Sequence, residues 1–171
     1  MKRFLAILIL LAAAAGARAD FNEGVVAYLS GDYDKAFATM RALAETTNHA
    51  YAQYYVGMMF LKGQGVSQSY EDAGVWFLKA AEQRVPQAQF QVGTLYLNGQ
   101  GLPRDVEQAY AWFTAGASHH HGNSEAAAAS ARGKLSPDEL VEAGKLAEEL
   151  IAKYGPDPKA AQAGGEAPAP N

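Results

Sequence analysis

The sequence predicts an all-α protein, an α-solenoid built from antiparallel helix pairs. Three observations favour this class: a segment that recurs after 36 residues, apolar residues spaced for one face of a helix, and glycines placed just after the predicted helices. The chain has 171 residues, of which 49% are hydrophobic, and this length suits one modest domain. The sequence therefore indicates a single domain made of repeats.

The repeat is visible when residues 51–81 are aligned with residues 87–117, which gives 13 identical residues over 31 positions. Each unit is predicted to form two helices, in the first unit at about residues 50–62 and 70–83. The recurring glycines and tryptophans, which we interpret as structural, are Gly57, Gly63, Gly65, Trp76, Gly93, Gly99, Gly101 and Trp112. Gly57 and Gly93 lie inside helices, where glycine costs about 1 kcal/mol relative to alanine, so a neighbouring helix is expected to come close there.

These residues carry a resemblance to a known family. The pattern Ala-Gln-x-x-Val-Gly-x-x-(Phe/Tyr)-Leu-x-Gly-Gln-Gly, followed by Ala-x-x-Trp-Phe, resembles the Sel1-like repeat, a relative of the tetratricopeptide repeat. The resemblance is close in residues 50–85 and 86–121, whereas residues 20–49 resemble a tetratricopeptide-like or partial repeat. Residues 122–154 are predicted to be capping helices, which give a solenoid a polar outer face.

Both ends of the chain differ in composition from the repeats. Residues 1–19 are predicted to be a secretory signal peptide, with Lys2 and Arg3 before an apolar run and a cleavage site after Ala19. The apolar run is too short for a comfortable membrane span, and no later segment is apolar enough. The chain is therefore expected in the periplasm or outside the cell. Residues 155–171, rich in Ala, Pro and Gly, are expected to be a disordered tail.

The charge balance and the absence of cysteine exclude several functions. The chain has 14 basic and 18 acidic residues, and removal of the predicted leader would leave 11 against 18. This acidic balance argues against nucleic-acid binding. Without cysteine the chain has no disulfide and no thiol nucleophile. A solenoid of about three units is near the minimum for stability, so self-association is one expectation.

No catalytic motif is present, and the sequence predicts a protein that is not an enzyme and takes no cofactor. It contains no Gly-x-Ser-x-Gly, no His-Glu-x-x-His, no P-loop and no dinucleotide-binding fingerprint. The run His119 to His121 is the one conspicuous cluster of possible metal ligands. Adjacent side chains cannot all point at one ion, so we interpret this run as a solvated loop or helix cap. His49 is likewise interpreted as a surface loop residue.

The candidate partner-binding residues lie on the first helix of each unit, off the face that the repeats share. They are Tyr51, Tyr55, Met58 and Lys62 in the first unit, and Gln87, Gln91, Thr94 and Asn98 in the second. In the Sel1-like family the first helices line the concave surface. The resemblance therefore implies a groove with an aromatic end and an amide end, and tyrosine and methionine suit adaptable contacts. The alternative is that Tyr55 and Met58 only pack between adjacent units.

The resemblance favours an exported adaptor or scaffold that binds a peptide or protein partner. Regulation of envelope signalling is one role that it implies. A non-catalytic structural protein of the envelope is an alternative. Some cysteine-rich exported members of the family bind or slowly hydrolyse β-lactams, but they depend on disulfides that this sequence lacks.

Overall fold

The computed structural model describes residues 20–157 of the chain, which are helical apart from the connecting turns. The helices are α1 (residues 20–30), α2 (Tyr33–Thr47), α3 (Ala50–Lys62), α4 (Tyr70–Glu82), α5 (Pro86–Asn98), α6 (Val106–Ala117), α7 (Gly122–Arg132) and α8 (Pro137–Tyr154). No strand occurs among these described residues. The predicted leader and residues 158–171 of the predicted tail lie outside them.

The chain divides into two compact units, Met1–Lys79 and Ala80–Asn171. We call them the first unit and the second unit. The division falls in the last turn of α4, so most of the first repeat lies in the first unit, and its last six residues lie in the second unit together with the whole second repeat. Each unit has its own packed core, described separately below.

In the first unit the core forms where α2 packs on α3. Met40 and Val56 are fully buried there, and Phe21 of α1 packs against them from the side. Gly57 lies under the ring of Phe77, where an added Cβ would come within 2.7 Å of two ring carbons. The glycine thus lets α3 and α4 approach closely enough for Phe77 to be completely buried.

In the second unit α6 is the central helix, and α5, α7 and α8 all pack on it. Phe113 of α6 is buried, and a Cβ added at Gly93 would again come within 2.7 Å of two of its ring carbons. The same contact therefore recurs in both units. Gly116 of α6 allows a second close approach, because an added Cβ would come within 2.5 Å of the Ser124 hydroxyl on α7.

The last helix, α8, starts at a complete capping box. The Ser136 hydroxyl accepts from the Glu139 backbone N–H at 3.3 Å, and the Glu139 carboxylate accepts from the Ser136 N–H at 2.8 Å. Ala143 and Ala147, which share one face of the helix, are buried. Glu142, Lys145, Glu148 and Glu149 are exposed. This helix is therefore amphipathic, with its charged face turned to solvent.

The turns that join α2 to α3, α4 to α5 and α6 to α7 share one backbone feature. Each contains a residue other than glycine in the left-handed conformation: Asn48 at φ 55°, Arg84 at φ 66° and His120 at φ 58°. These three positions are spaced by 36 residues. The residue after each one is the N-cap of the next helix: His49, Val85 and His121. The 36-residue period of the backbone therefore extends upstream of the two repeats that are visible in the sequence.

Candidate functional site

The four predicted binding residues of α3 differ in exposure. Tyr51 is 43% exposed, and Lys62 is exposed at the end of the helix. Tyr55 and Met58 are half-buried. The exposed Tyr51 is therefore the α3 tyrosine most available to a partner.

Tyr55 is half-buried because aromatic residues of α1 pack against it. Its ring meets Tyr28 edge-on, with ring centroids 5.3 Å apart, and Phe21 edge-on at 6.0 Å. Tyr28 in turn meets Tyr33 edge-on at 5.6 Å, and its hydroxyl accepts from the Lys62 ammonium at 3.4 Å. Edge-to-face pairs of this kind add about 0.5–1.5 kcal/mol each beyond the area that they bury. The rings are therefore held in fixed relative positions.

We call this surface of the first unit the tyrosine face. It consists of Tyr28, Tyr33, Tyr51, Tyr55 and Lys62. Among the described residues, no hydrogen bond involves the hydroxyls of Tyr33, Tyr51 or Tyr55, which are thus available to a ligand. The face combines preformed aromatic surface, free hydroxyl donors and one cation.

Tyr54 supports the tyrosine face from below. Its ring lies 5.8 Å from that of Tyr55 and 5.9 Å from that of the buried Phe77. Burial raises the pKa of Tyr54, and the neighbouring Tyr55 and Tyr28 hydroxyls raise it further. Tyr54 therefore stays a neutral phenol well above physiological pH.

His49 has a structural role that the sequence did not reveal. Its Nδ1 accepts from the Ala52 backbone N–H at 3.1 Å and so caps α3, and its ring stacks on Phe21 at 4.6 Å. Burial lowers the pKa of His49, although a backbone hydrogen bond partly offsets this shift. His49 is thus an N-cap beside the aromatic cluster, and the interpretation as a surface loop residue is replaced.

The predicted amide stripe of α5 belongs to the second unit. Thr94 turns its hydroxyl back onto the Phe90 carbonyl at 2.9 Å, and the Asn98 amide donates to Gln100 Oε1 at 3.4 Å. The side-chain oxygen of Gln87 is buried and has no hydrogen-bond partner in the described part of the chain. Gln91 is half-buried. A groove that joins this stripe to Tyr51, Tyr55, Met58 and Lys62 stays a prediction.

A network in the second unit anchors the end of α8. The Tyr154 carbonyl accepts from the Gln89 amide at 2.8 Å and from His119 Nε2 at 3.0 Å. The Tyr154 ring stacks on Trp112, with centroids 5.9 Å apart and the planes inclined by 10°. Gln89 is completely buried, and its Nε2 also bonds the Ala81 carbonyl at 3.2 Å. These contacts hold the capping helix against α5 and α6.

The three adjacent histidines are separated by this arrangement. His119 faces Tyr154, His120 is exposed in the left-handed turn, and His121 Nδ1 pairs with the Ser124 hydroxyl at 2.8 Å. Within residues 20–157, no three His, Asp or Glu side chains are grouped so that they could hold a metal ion. His119 instead bonds the end of α8, whereas His121 bonds the first turn of α7 and its ring lies 5.7 Å from that of Phe90 on α5.

Shallow hollows lie on both units. One of about 320 Å³ lies between α1 and α2, and one of about 440 Å³ is rimmed by Glu107, Asp138, Glu139 and Glu142. A third, of about 340 Å³, lies between α6 and α7. None of the three is lined by histidine.

The architecture defines the class first: this is an all-helical repeat protein with packing between adjacent helices. The family model described as Sel1 repeat matches residues 50–85 and 86–121. The chain therefore contains two Sel1 repeats, which confirms the resemblance over these residues and the predicted fold class. No curated protein matches the sequence.

Solved structures agree with this family. A protective antigen present in uropathogenic Escherichia coli strains, displaying an SLR fold, is 30% identical with a TM-score of 0.79, over 91% of this chain and 34% of that chain. A Sel1 repeat protein from Oxalobacter formigenes is 26% identical with a TM-score of 0.61, over 77% of this chain and 54% of that chain. The chain thus spans about a third and about half of the lengths of these two proteins.

The Sel1 repeats indicate a general kind of function. Sel1 repeats generally form scaffolds for protein–protein interaction, and their family is typically non-catalytic. No helix within residues 20–157 has the length and apolar character needed to cross a membrane.

Proposed function

We propose that this protein is an exported adaptor that binds a peptide or protein partner on the tyrosine face of the first unit. The observation that carries the proposal is the run of ring contacts from Tyr55 through Tyr28 to Tyr33, beside the exposed Tyr51. Tyrosine provides large contact area at a low cost in conformational entropy and is enriched in binding sites. A surface already held in place loses little further entropy when a partner binds.

The chemistry of the face indicates the kind of partner. Lys62 supplies a positive charge next to the Tyr28 hydroxyl, and the free hydroxyls are suited to backbone carbonyls or carboxylates. A segment with an acidic group and apolar side chains complements this surface. The amide stripe of α5 belongs to the second unit and stays a separate prediction.

The proposal also includes the cellular location of the protein. The basic start, apolar run and Ala-Arg-Ala site of residues 1–19 favour export, to the periplasm or beyond. One of the structurally similar proteins is described as a protective antigen, which fits an exported protein. Regulation of envelope signalling is the role that we assign to such an adaptor. Cell fractionation with mass spectrometry of the intact protein tests export, and a mature form beginning at Asp20 is expected.

Crosslinking inside the cell tests the binding site. A photoreactive amino acid at Tyr51, which is exposed and on the face, is expected to capture one enriched partner. The matched control carries the same amino acid at Val75, which is 51% exposed on α4. Equal capture from both positions, or none from Tyr51 in a folded protein, overturns the proposed site.

Point variants then separate binding from folding. Lys62→Glu reverses the charge beside Tyr28, and we expect it to weaken capture from Tyr51 about tenfold or more, a change of about 1.4 kcal/mol. Gln91→Ala measures the contribution of the amide stripe separately. Circular dichroism establishes that each variant keeps its helices. An acidic partner is ruled out if Lys62→Glu binds as well as the parent protein.

A further inference from the structure

The hollow between α6 and α7 in the second unit has a paired arrangement of side chains. Its volume is about 340 Å³. Its lining comes from two helices: Tyr110, Thr114 and Ala117 of α6, and Glu125, Ala128, Ala129 and Arg132 of α7. It is therefore a groove between neighbouring helices, with a charged residue at each end of its α7 wall.

Glu125 and Arg132 lie seven residues apart and so share one face of α7, about 10.5 Å apart along the axis. Both are exposed. In the described part of the chain neither side chain forms an ion pair or a hydrogen bond.

Between Glu125 and Arg132 the α7 side of the groove carries small side chains. Ala128 and Ala129 line the groove, and Ala126 and Ala129 are exposed to solvent. A second helix can therefore come near the α7 backbone without meeting a large side chain. The groove is complementary to an antiparallel helix that carries opposite charges seven residues apart. The basic residue of that helix would then meet Glu125, and its acidic residue would meet Arg132.

We propose that this groove is the contact between two copies of this chain, with the two α7 helices antiparallel about a twofold axis. In that arrangement Glu125 of each copy faces Arg132 of the other, and the alanines meet at the centre. A parallel arrangement would place like charges together. A twofold contact uses the same patch on both copies, and α7 is complementary to itself in this sense. The proposal is independent of the tyrosine face.

Charge reversal tests the contact by sedimentation analysis and native mass spectrometry of the protein as purified from its cells. The parent protein is expected to form a dimer that weakens as salt is raised from about 50 mM to about 500 mM, because exposed charges are screened. Glu125→Arg and Arg132→Glu alone should each raise the dimer dissociation constant about tenfold or more, because two attractions become repulsions.

The two variants together provide the decisive comparison. A mixture of the Glu125→Arg chain with the Arg132→Glu chain should form a heterodimer, and the double variant E125R/R132E should dimerise like the parent. Glu149→Arg, on the exposed face of α8, is the matched control and should change nothing. The helix dipole also favours these signs at the ends of α7, so each variant's melting temperature is measured alongside its mass.

Three results would overturn the proposal. One is a parent protein that stays monomeric up to about 100 µM, a concentration that would detect even weak association. Another is a double variant or a mixture that does not recover the dimer. The third is single variants that change the melting temperature while the dimer persists, since the charges would then serve α7 alone.

Discussion

Trp76 and Trp112 occupy the same position in the two Sel1 repeats, yet their surroundings differ. Trp112 is 5% exposed and stacks on Tyr154 of the capping helix. Trp76 is half-buried against the first core, and its ring lies under the Lys79 ammonium at 4.3 Å. By contrast, Gly57 with Phe77 and Gly93 with Phe113 form the same contact in both repeats. Contacts inside a repeat are thus reproduced by its sequence, whereas the burial of the tryptophan depends on what lies beside the repeat.

The largest effect is expected when the two tryptophans are compared directly. Trp112→Ala should reduce the free energy of unfolding by about 3–5 kcal/mol, because it empties a buried site and leaves Tyr154 without its stacking partner. Trp76→Ala should cost clearly less, since its ring is partly in solvent already. Urea unfolding followed by circular dichroism measures both. Equal losses would mean that the difference in burial has no energetic consequence.

The next effect tests the contact that the repeats share. Gly93→Ala and Gly57→Ala should each cost about 1–3 kcal/mol, because the added methyl overlaps a buried phenylalanine ring. Gly144→Ala in α8 is the matched control, since no heavy atom lies within 4 Å of its added Cβ. It should stabilise by up to about 1 kcal/mol through helix propensity. A neutral Gly93→Ala would show that the helices can separate without penalty.

A smaller effect, on the pH dependence of stability, is expected from the turn before α3 but not from the turn before α5. The folded chain lowers the pKa of His49, so the neutral ring is favoured on folding. This contribution to the free energy of unfolding is complete above the pKa of histidine in the unfolded chain, about 6.5. It is lost as the pH falls through the pKa of His49 in the folded chain. Protonation of Nδ1 would also remove the acceptor for the Ala52 N–H. Val85, the N-cap of α5, has no such group.

The measurement is the melting temperature of the parent protein and of His49→Asn between about pH 7 and pH 5. Asparagine also caps helices but does not titrate in this range. The variant should therefore show a shallower decline toward acid than the parent protein. Identical pH profiles would exclude His49 as a source of acid sensitivity.

The smallest effect concerns the left-handed turns. His120→Gly should stabilise by about 0.5–1 kcal/mol, because the strain of the left-handed backbone exceeds the entropy that glycine adds to the unfolded chain. Arg84→Gly should gain less, since it also loses the contact with Asp157 at 3.9 Å. Calorimetry of the two variants makes the comparison. A destabilised His120→Gly would indicate that the exposed ring makes a favourable interaction.

The fold could be predicted because local signals mark the helix ends. The glycine after Lys62 marks an end of α3 that the structure reproduces, and α4 ends at Glu82, one residue before the prediction. The spacing of 36 residues then indicates which two helices belong to the same repeat. These signals act over a few residues, so they are readable without tertiary structure.

The tyrosine face could be predicted only in part, because its other half comes from a different helix. Tyr51 and Lys62 were identified from the spacing within α3. Tyr28 and Tyr33 were not, because their contacts with Tyr55 and with each other depend on how α1 and α2 lie beside α3. The Gln89 to Tyr154 bond joins residues that are 65 positions apart and has no local signature.

The left-handed residues at positions 48, 84 and 120 bear on how the repeats of such a chain are counted. Asparagine, arginine and histidine have little in common chemically, yet the chain bends in the same way at each of them. The backbone keeps its period of 36 residues at positions where the side chains differ. The family model matches two repeats in this chain, whereas this bend occurs three times. The period can therefore be followed in the torsion angles beyond the residues that the family model matches.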